Sequence, residues 1–397
     1  SLKMKTFIVI LLLLLSISYT QDSIGQNKAT YIDSFIENKM AESGMVGVAT
    51  AIVIDKKVAW SHGYGYADKD KKTSFTPNTI MNIASISKTI TGACLMHAVE
   101  ENKLSLDVDI NNYLPFKVIN PFFPNEIITL RNLATHTSGI TDQEPLYDNS
   151  YYYGGDSPEQ LGDFLKNYFD TKGKYYNQDN FLKFKPGKYF NYSNIAAGLA
   201  GYIIEIRTGK KLNEYSKHFI FNPLKMDNTG WFFSEINLAN HSTLYNRETD
   251  TLKVIKPYGL TTYPDGGVRT SVSDLSKFFI CLLNGGKNNG VRILKKKSVA
   301  EMTKPQFTEA VKPDNVDLVK RNEGLFWAFD NNGKRVGHTG GDPGVRTFMY
   351  YDTKEKVGII LFMNTELKEA ELKNFRTTVY DEIFKYALTL RDNKTSR

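Results

Sequence analysis

Asn82-Ile83-Ala84-Ser85-Ile86-Ser87-Lys88-Thr89-Ile90-Thr91-Gly92 places a serine and a lysine three residues apart at the head of an apolar run. With Ile86, Ile90, Leu95, Met96 and Val99, the spacing from Ile86 to Glu101 predicts a buried helix. Residues three apart on a helix share a face, so the side chains of Ser85 and Lys88 meet. A serine hydroxyl is a poor nucleophile until a base stands within hydrogen-bond reach, and a helix start adds N–H groups that stabilise negative charge. One S-x-x-K in a chain of this length is expected by chance, so its chemistry depends on partners elsewhere.

On both sides of this run the pattern turns to strands. Asn27 to Ser43 carries Ile32, Phe35, Ile36 and Met40 at helical spacing, and Val46 to Ile54, Asp55-Lys56-Lys57 and Val58 to Tyr66 read as a hairpin. Near the other end, Gly324 to Phe329, Lys334 to His338, Val345 to Tyr351 and Val357 to Met363 read as strands, before an amphipathic helix from Glu369 to Leu390. A lone hairpin is too small to be stable, so the economical solution is an α+β fold. One antiparallel sheet is flanked by the N- and C-terminal helices, with a mostly helical lobe inserted. Residues 27–72 and 322–390 form the sheet lobe of a single domain spanning 27–390, residues 73–321 form the helical lobe, and the cleft between them is the natural site.

Within the helical lobe, Thr135-His136-Thr137-Ser138-Gly139-Ile140 is a Gly-ended turn in which His136 reads as a structural hydrogen-bonding residue. Residues 141–190, rich in Tyr, Asp, Asn and Gly with one helical patch at Pro158 to Phe169, read as an insertion that lines a site or shapes its entrance, or as plain surface. Asp265-Gly266-Gly267-Val268 is a tight turn, and Ser273 caps a helix to Leu283. The pattern Y-x-N occurs at Tyr147, Tyr175, Tyr189 and Tyr192; of these, Tyr192-Ser193-Asn194 alone opens directly onto a buried helix pattern, Ile195 to Arg207.

Hydrophobic residues make up 41% and aromatics 13% of 397 residues, a globular composition. The net charge of +7 is spread out apart from Lys295-Lys296-Lys297, which is no nucleic-acid footprint. Residues 1–20, with Lys3 and Lys5 ahead of the apolar run Phe7 to Leu15, read as a secretory signal too short to span a bilayer. The expectation is an exported protein, periplasmic or extracellular, with no membrane span after cleavage. Cys94 and Cys281 each fall in an apolar helical pattern and read as buried thiols, and His97 beside Cys94 does not complete a metal site. No metal or cofactor is expected.

Ser85 and Lys88, Tyr192, and the strand-end His338-Thr339-Gly340-Gly341 can therefore face one cleft. A tyrosine or lysine of lowered pKa can take the serine proton, and strand glycines let a substrate approach backbone N–H groups able to hold an oxyanion. In this order, Ser85-Ile86-Ser87-Lys88, Thr135-His136-Thr137-Ser138-Gly139, Tyr192-Ser193-Asn194, Gly266-Gly267 and His338-Thr339-Gly340-Gly341 resemble the serine β-lactamase and penicillin-binding superfamily. The likeness is to its class C-like, D-alanyl-D-alanine carboxypeptidase and esterase branch. That resemblance implies Ser85 as acylated nucleophile, Lys88 and Tyr192 as the proton-transfer pair, and Asn194 as a substrate-amide contact. It further implies an oxyanion hole from the N–H groups of Ser85 and Gly341, with His338, Thr339 and Gly340 along the substrate. Class C β-lactamases usually have Lys-Thr-Gly where this chain has His338-Thr339-Gly340, so a permanent ammonium is replaced by a mostly neutral imidazole. The expected activity is thus carboxylesterase or D-alanyl-D-alanine carboxypeptidase and D-amino-acid peptidase chemistry. β-Lactamase activity, or penicillin and peptidoglycan binding without hydrolysis, is the alternative. The partners implied are small esters, peptides or β-lactams, and peptidoglycan.

Overall fold

The computed structural model describes residues 31–330 and 333–395. The expected signal at 1–20 and the first residues of the expected N-terminal helix lie outside them. Helix α1 covers residues 31–43. The central sheet uses β1 (Gly47–Ile54), β2 (Lys57–Asp68), β3 (Thr73–Ser74), β4 (Ala328–Asp330), β5 (Arg335–Asp342), β6 (Val345–Asp352) and β7 (Val357–Met363). Their order is β4-β5-β6-β7-β1-β2-β3, antiparallel throughout. The hairpin turn is Asp55-Lys56, both with positive φ (49° and 60°), the two-residue turn whose twist suits paired strands.

Alternation along β1 explains the layering. Val48, Ile52 and Ile54 join Ile359, Leu361 and Met363 of β7 on the face covered by α1 and the C-terminal helix, from which Phe375, Val379, Ile383 and Phe384 descend. Ala49, Ala51 and Val53 point the other way, with Ile360 and Phe362, into the core of the helical lobe. Ala49 and Ala51 are small, which lets a helix approach closely. In chain order that lobe contains α2 (Ser87–Glu100), α3 (Asn194–Thr208) and α4 (Val272–Leu283), and the chain closes with α5 (Glu369–Thr395).

Several elements depart from the sequence pattern. β5 does not stop at His338 but runs on to Asp342, because Gly340 and Gly341 pair with Thr347 and Arg346. β4 shrinks to three residues because Leu325 and Phe326 turn away and donate backbone hydrogen bonds to Met302 and Ala134, both in the helical lobe. Helix α4 is capped by Ser271, not Ser273: the Ser271 hydroxyl accepts from the Asp274 N–H at 3.1 Å. The irregular stretch 237–263 contributes short strands Leu244–Arg247 and Lys253–Ile255, the first pairing in parallel with Thr365–Leu367. Cys94 in α2 and Cys281 in α4 are buried, unbonded thiols.

The two lobes are clamped where the sequence pattern began. Thr347 Oγ1 in β6 donates to the Ile83 carbonyl at 2.9 Å, and the Val268 carbonyl accepts from the Ile83 N–H at 3.0 Å. Gly340 passes so close to this turn that a Cβ there would press into the Ile83 carbonyl oxygen and Thr347 Oγ1, whereas a Cβ at Gly341 would meet only the flexible end of Arg346, at 3.3 Å. Gly340→Ala should therefore lower unfolding free energy by about 1–3 kcal/mol. Gly341→Ala should stay within about 0.5 kcal/mol of wild type. Urea titration of both variants checks the contrast.

Candidate active site

Ser85 sits in a single 3₁₀ turn, Ala84–Ile86, that leads straight into α2. Ala84 has φ +48°, an unusual value for a residue with a Cβ, so the backbone at the serine is held in a conformation the surroundings must support. Lys88 is completely buried one turn on, and its ammonium donates three hydrogen bonds: to Ser85 Oγ at 3.0 Å, Asn194 Oδ1 at 2.7 Å and the Asp265 carbonyl at 2.8 Å. A lysine has three N–H donors, and all are committed here.

Tyr192 completes the group. Lys88 Nζ lies 4.9 Å from its ring centroid, and Lys88 and Ser85 both draw the phenol's pKa downward. The ring leaves 39% of its surface open to the cleft while its hydroxyl end is crowded by those partners. The competing Y-x-N tyrosines are engaged elsewhere. Tyr147 donates to Asp265, Tyr175 to Glu159, and Tyr189 stacks on Phe184.

The charges differ from the sequence expectation of a lowered lysine or tyrosine pKa. Burial pushes Lys88 down, but the negative charge available on Tyr192 and Asp265 outweighs it, and Lys88 is held above the ordinary lysine value. For Tyr192, burial pushes the phenol up and the charge of Lys88 only partly offsets it.

On the sheet side, His338 is buried, and burial followed by the charge of Lys88 lowers its pKa to about 4. Its Nδ1 donates to the Thr339 carbonyl at 2.5 Å, so the neutral ring leaves Nε2 as an acceptor. The two rings, Tyr192 and His338, are 6.4 Å apart. Because β4 pairs only with Arg335, Val336 and Gly337, among the described residues no strand pairs with the edge of β5 from His338 to Asp342 on that side, where Thr339 and Gly341 are exposed. An extended chain can add there as a strand.

His136 has the structural role its setting suggested. Its Nδ1 accepts from the Ser193 N–H at 3.2 Å and its ring lies 4.3 Å from that of Tyr192, bracing the phenol. Sequence reasoning missed two acids. Asp142 accepts from the N–H groups of Asn194 (2.8 Å) and Ile195 (3.0 Å), from the Ser193 hydroxyl (2.8 Å) and from Asn194 Nδ2 (2.9 Å), so it gathers the donors at the start of α3. The amide of Asn194 is consequently strung between Asp142 and Lys88. Asp265 carries the carbonyl that Lys88 binds, and its buried carboxyl accepts from the hydroxyls of Thr262 and Tyr147. Each is a lone acid in a loop, with no spacing to announce it. Among the described residues no three His, Cys, Asp or Glu side chains gather as a metal site.

A family model described as Beta-lactamase matches residues 32–380. Protein flp of Staphylococcus aureus (strain MRSA252) is 27% identical over 339 residues, covering 84% of this chain and 62% of flp. The chain therefore spans less than two thirds of the length of that relative. The octameric penicillin-binding protein homologue from Pyrococcus abyssi superposes with a TM-score of 0.68 at 25% identity, over 89% of this chain and 77% of that one. The D-amino acid amidase from Ochrobactrum anthropi SV3 does so with a TM-score of 0.69 at 22% identity, over 93% and 99%, a likeness of fold.

Asp142→Ala leaves buried donors at the start of α3 without an acceptor and frees the amide that seats Lys88. The expected cost is about 2 kcal/mol of unfolding free energy, read from urea titration.

Proposed function

Since this chain belongs to the beta-lactamase family, within the serine β-lactamase and penicillin-binding superfamily of serine hydrolases, we propose that it hydrolyses an ester or amide through an acyl-enzyme on Ser85. The observation that carries this reading is the hydrogen bond from a buried, fully coordinated Lys88 to Ser85 Oγ, with the ring of Tyr192 4.9 Å from the ammonium. Loss of one proton from the Lys88–Tyr192 pair makes it a base. It takes the Ser85 proton as Oγ attacks the acyl carbon, and the oxyanion that forms is held by the N–H groups of Ser85 and Gly341. Collapse expels the leaving group, protonated by the same pair, and water then hydrolyses the ester on Ser85 by the reverse route.

The free edge of β5 lets an extended acyl group lie along Thr339 to Gly341. A neutral His338 offers no counter-charge to a substrate carboxylate, which favours esters and D-amino-acid amides over substrates with a free carboxylate, β-lactams and D-Ala-D-Ala peptides alike. The apolar run behind Lys3 and Lys5 supports work outside the cytoplasm, on small molecules or peptidoglycan fragments.

Intact-mass measurement after incubation with p-nitrophenyl esters, penicillin and D-Ala-D-Ala peptides should show an adduct or turnover in wild type and none with Ser85→Ala. Tyr192→Phe and Lys88→Met should slow acylation by about 10²–10⁴-fold; wild-type rates in either would remove that residue from the proton relay. His338→Lys supplies the missing ammonium and should speed acylation by penicillin relative to an uncharged ester. An unchanged ratio of the two rates would show that this position does not govern carboxylate recognition.

A further inference from the structure

Past its glycines, the end of β5 borders a cavity of about 620 Å³. Its wall includes Gly341 and Asp342, Tyr151 and Tyr153 from the segment 141–190, and the acids Asp148 and Glu248. Tyr151–Tyr153 is a short strand paired with Tyr258–Leu260. The ring of Tyr258 lies 5.6 Å from that of Tyr151 and 5.5 Å from that of Tyr153, and its hydroxyl donates to the Pro343 carbonyl at 3.0 Å. The tyrosine wall is thereby pinned to the strand that carries Gly341.

Asp342 is the group in this wall with bonding capacity left over. Alternation along β5 sends its side chain to the same face as Gly340, toward the turn at Ser85: a Cβ on Gly266 would stand 3.6 Å from Asp342 Oδ2 and 3.8 Å from the Ala84 carbonyl carbon. Asp342 Oδ1 accepts from the Tyr151 hydroxyl at 2.6 Å, while Oδ2, closed off from solvent, has no partner among the described residues. Native structures leave few polar atoms in that condition, because each has lost its water without replacement. The neighbouring cation does not relieve it. Arg346 Nη2 is paired with Glu366 Oε1 at 2.5 Å, and its Nη1 donates to the backbone carbonyls of Asp342 and Val345 at 3.1 and 2.7 Å. Arg346 is also the one cation among the described residues that line the cavity, so once it is matched with Glu366 the carboxyls of Asp148, Glu248 and Asp342 remain in excess.

We propose that Asp342 is a specificity-determining residue and that this cavity receives a primary ammonium on the acyl part of the substrate, as in an ester or amide of an amino acid whose amine is free. This rests on the acyl-transfer reading for the position of the scissile carbonyl. A carboxylate beside tyrosine rings is the combination that holds an alkylammonium, through charge-assisted hydrogen bonds and the ring faces. Asp342 is partly exposed and lines the cavity, so its carboxyl can turn to a donor that enters. Burial lifts that carboxyl only to about 6, which leaves it mostly an anion at neutral pH. Its charge bears on the reaction as well. Gly341, whose N–H faces the developing oxyanion, directly precedes Asp342, and two negative charges so close oppose each other. A substrate cation at Asp342 removes that opposition, an uncharged acyl group leaves it in place, and a substrate carboxylate adds to it.

The test compares the methyl esters of D-alanine and of isobutyric acid, which differ by a methyl in place of the ammonium, at pH 7 with the full chain. The ratio of their kcat/KM values, alanine over isobutyrate, should fall about ten- to a hundredfold in Asp342→Asn, in which Tyr151 still has an oxygen to donate to. The same ratio in wild type and variant would overturn the proposal, since a purely structural aspartate cannot tell the two esters apart. Should Asp342→Asn fail to fold, Asp148→Asn combined with Glu248→Gln, both at exposed positions, should lower the ratio severalfold, and a ratio equal to wild type there would overturn it too. Binding without turnover separates this proposal from the reading beneath it. D-alaninamide should bind Ser85→Ala more tightly than isobutyramide by calorimetry, and the difference should disappear when Asp342→Asn is added. If wild type formed no Ser85 adduct, the acyl-transfer reading would fail, while equal or absent binding of the two amides would show that the cavity does not hold an ammonium.

Discussion

A cation with no exposure to water governs the architecture around the cleft. Lys88 has exchanged its hydration shell for one side-chain hydroxyl, one amide and one backbone carbonyl, drawn from three separate parts of the chain. Each acceptor must be held by something else, because an ammonium left short of partners in the interior is severely destabilising. Asn194 is held by Asp142, the Asp265 carbonyl by the turn on which Thr91 pulls, and Ser85 by the 3₁₀ turn that Thr347 and Gly340 press from the sheet. Much of what looks like loop conformation in the helical lobe is the scaffold of one lysine's hydrogen bonds.

This arrangement gives the lobes unequal tasks. Ser85, Lys88 and Tyr192 stand on or beside α2 and α3, packed on the helix-rich core. The sheet presents backbone, a stretch of β5 that no strand among the described residues pairs, and an imidazole whose Nδ1–H donates to the next residue's carbonyl. Because Gly340 touches the Ile83 carbonyl, a displacement of the strand is felt at Ser85, so the two halves cannot adjust independently.

The periodicity of the strands and helices already contained the antiparallel sheet, its flanking helices and the inserted lobe. The S-x-x-K spacing likewise contained the meeting of Ser85 and Lys88, since helix geometry alone determines it. Tyr192 was separable from its look-alikes by position, standing one residue before the cap of a buried helix. The ends of β4 and β5 were not readable, because they depend on which neighbour claims a backbone N–H: Phe326 gives its own to Ala134, and the glycines that suggested a strand end are paired with β6. Asp142 and Asp265 escaped for a related reason. Their partners lie 52 and 177 residues away along the chain, and no local pattern encodes such a contact.

Cys94 and Cys281 sit in separate helices of the lobe core, unbonded, and burial pushes both thiols upward, Cys281 to about 12. Thiols with so little thiolate are sluggish in exchange chemistry and out of reach of oxidants. The domain therefore reaches its native state without an oxidative folding step and has no crosslink for a reductant to cut. Its tertiary structure is redox-indifferent, and the same sequence would be equally at home on either side of a membrane that separates reducing from oxidising conditions.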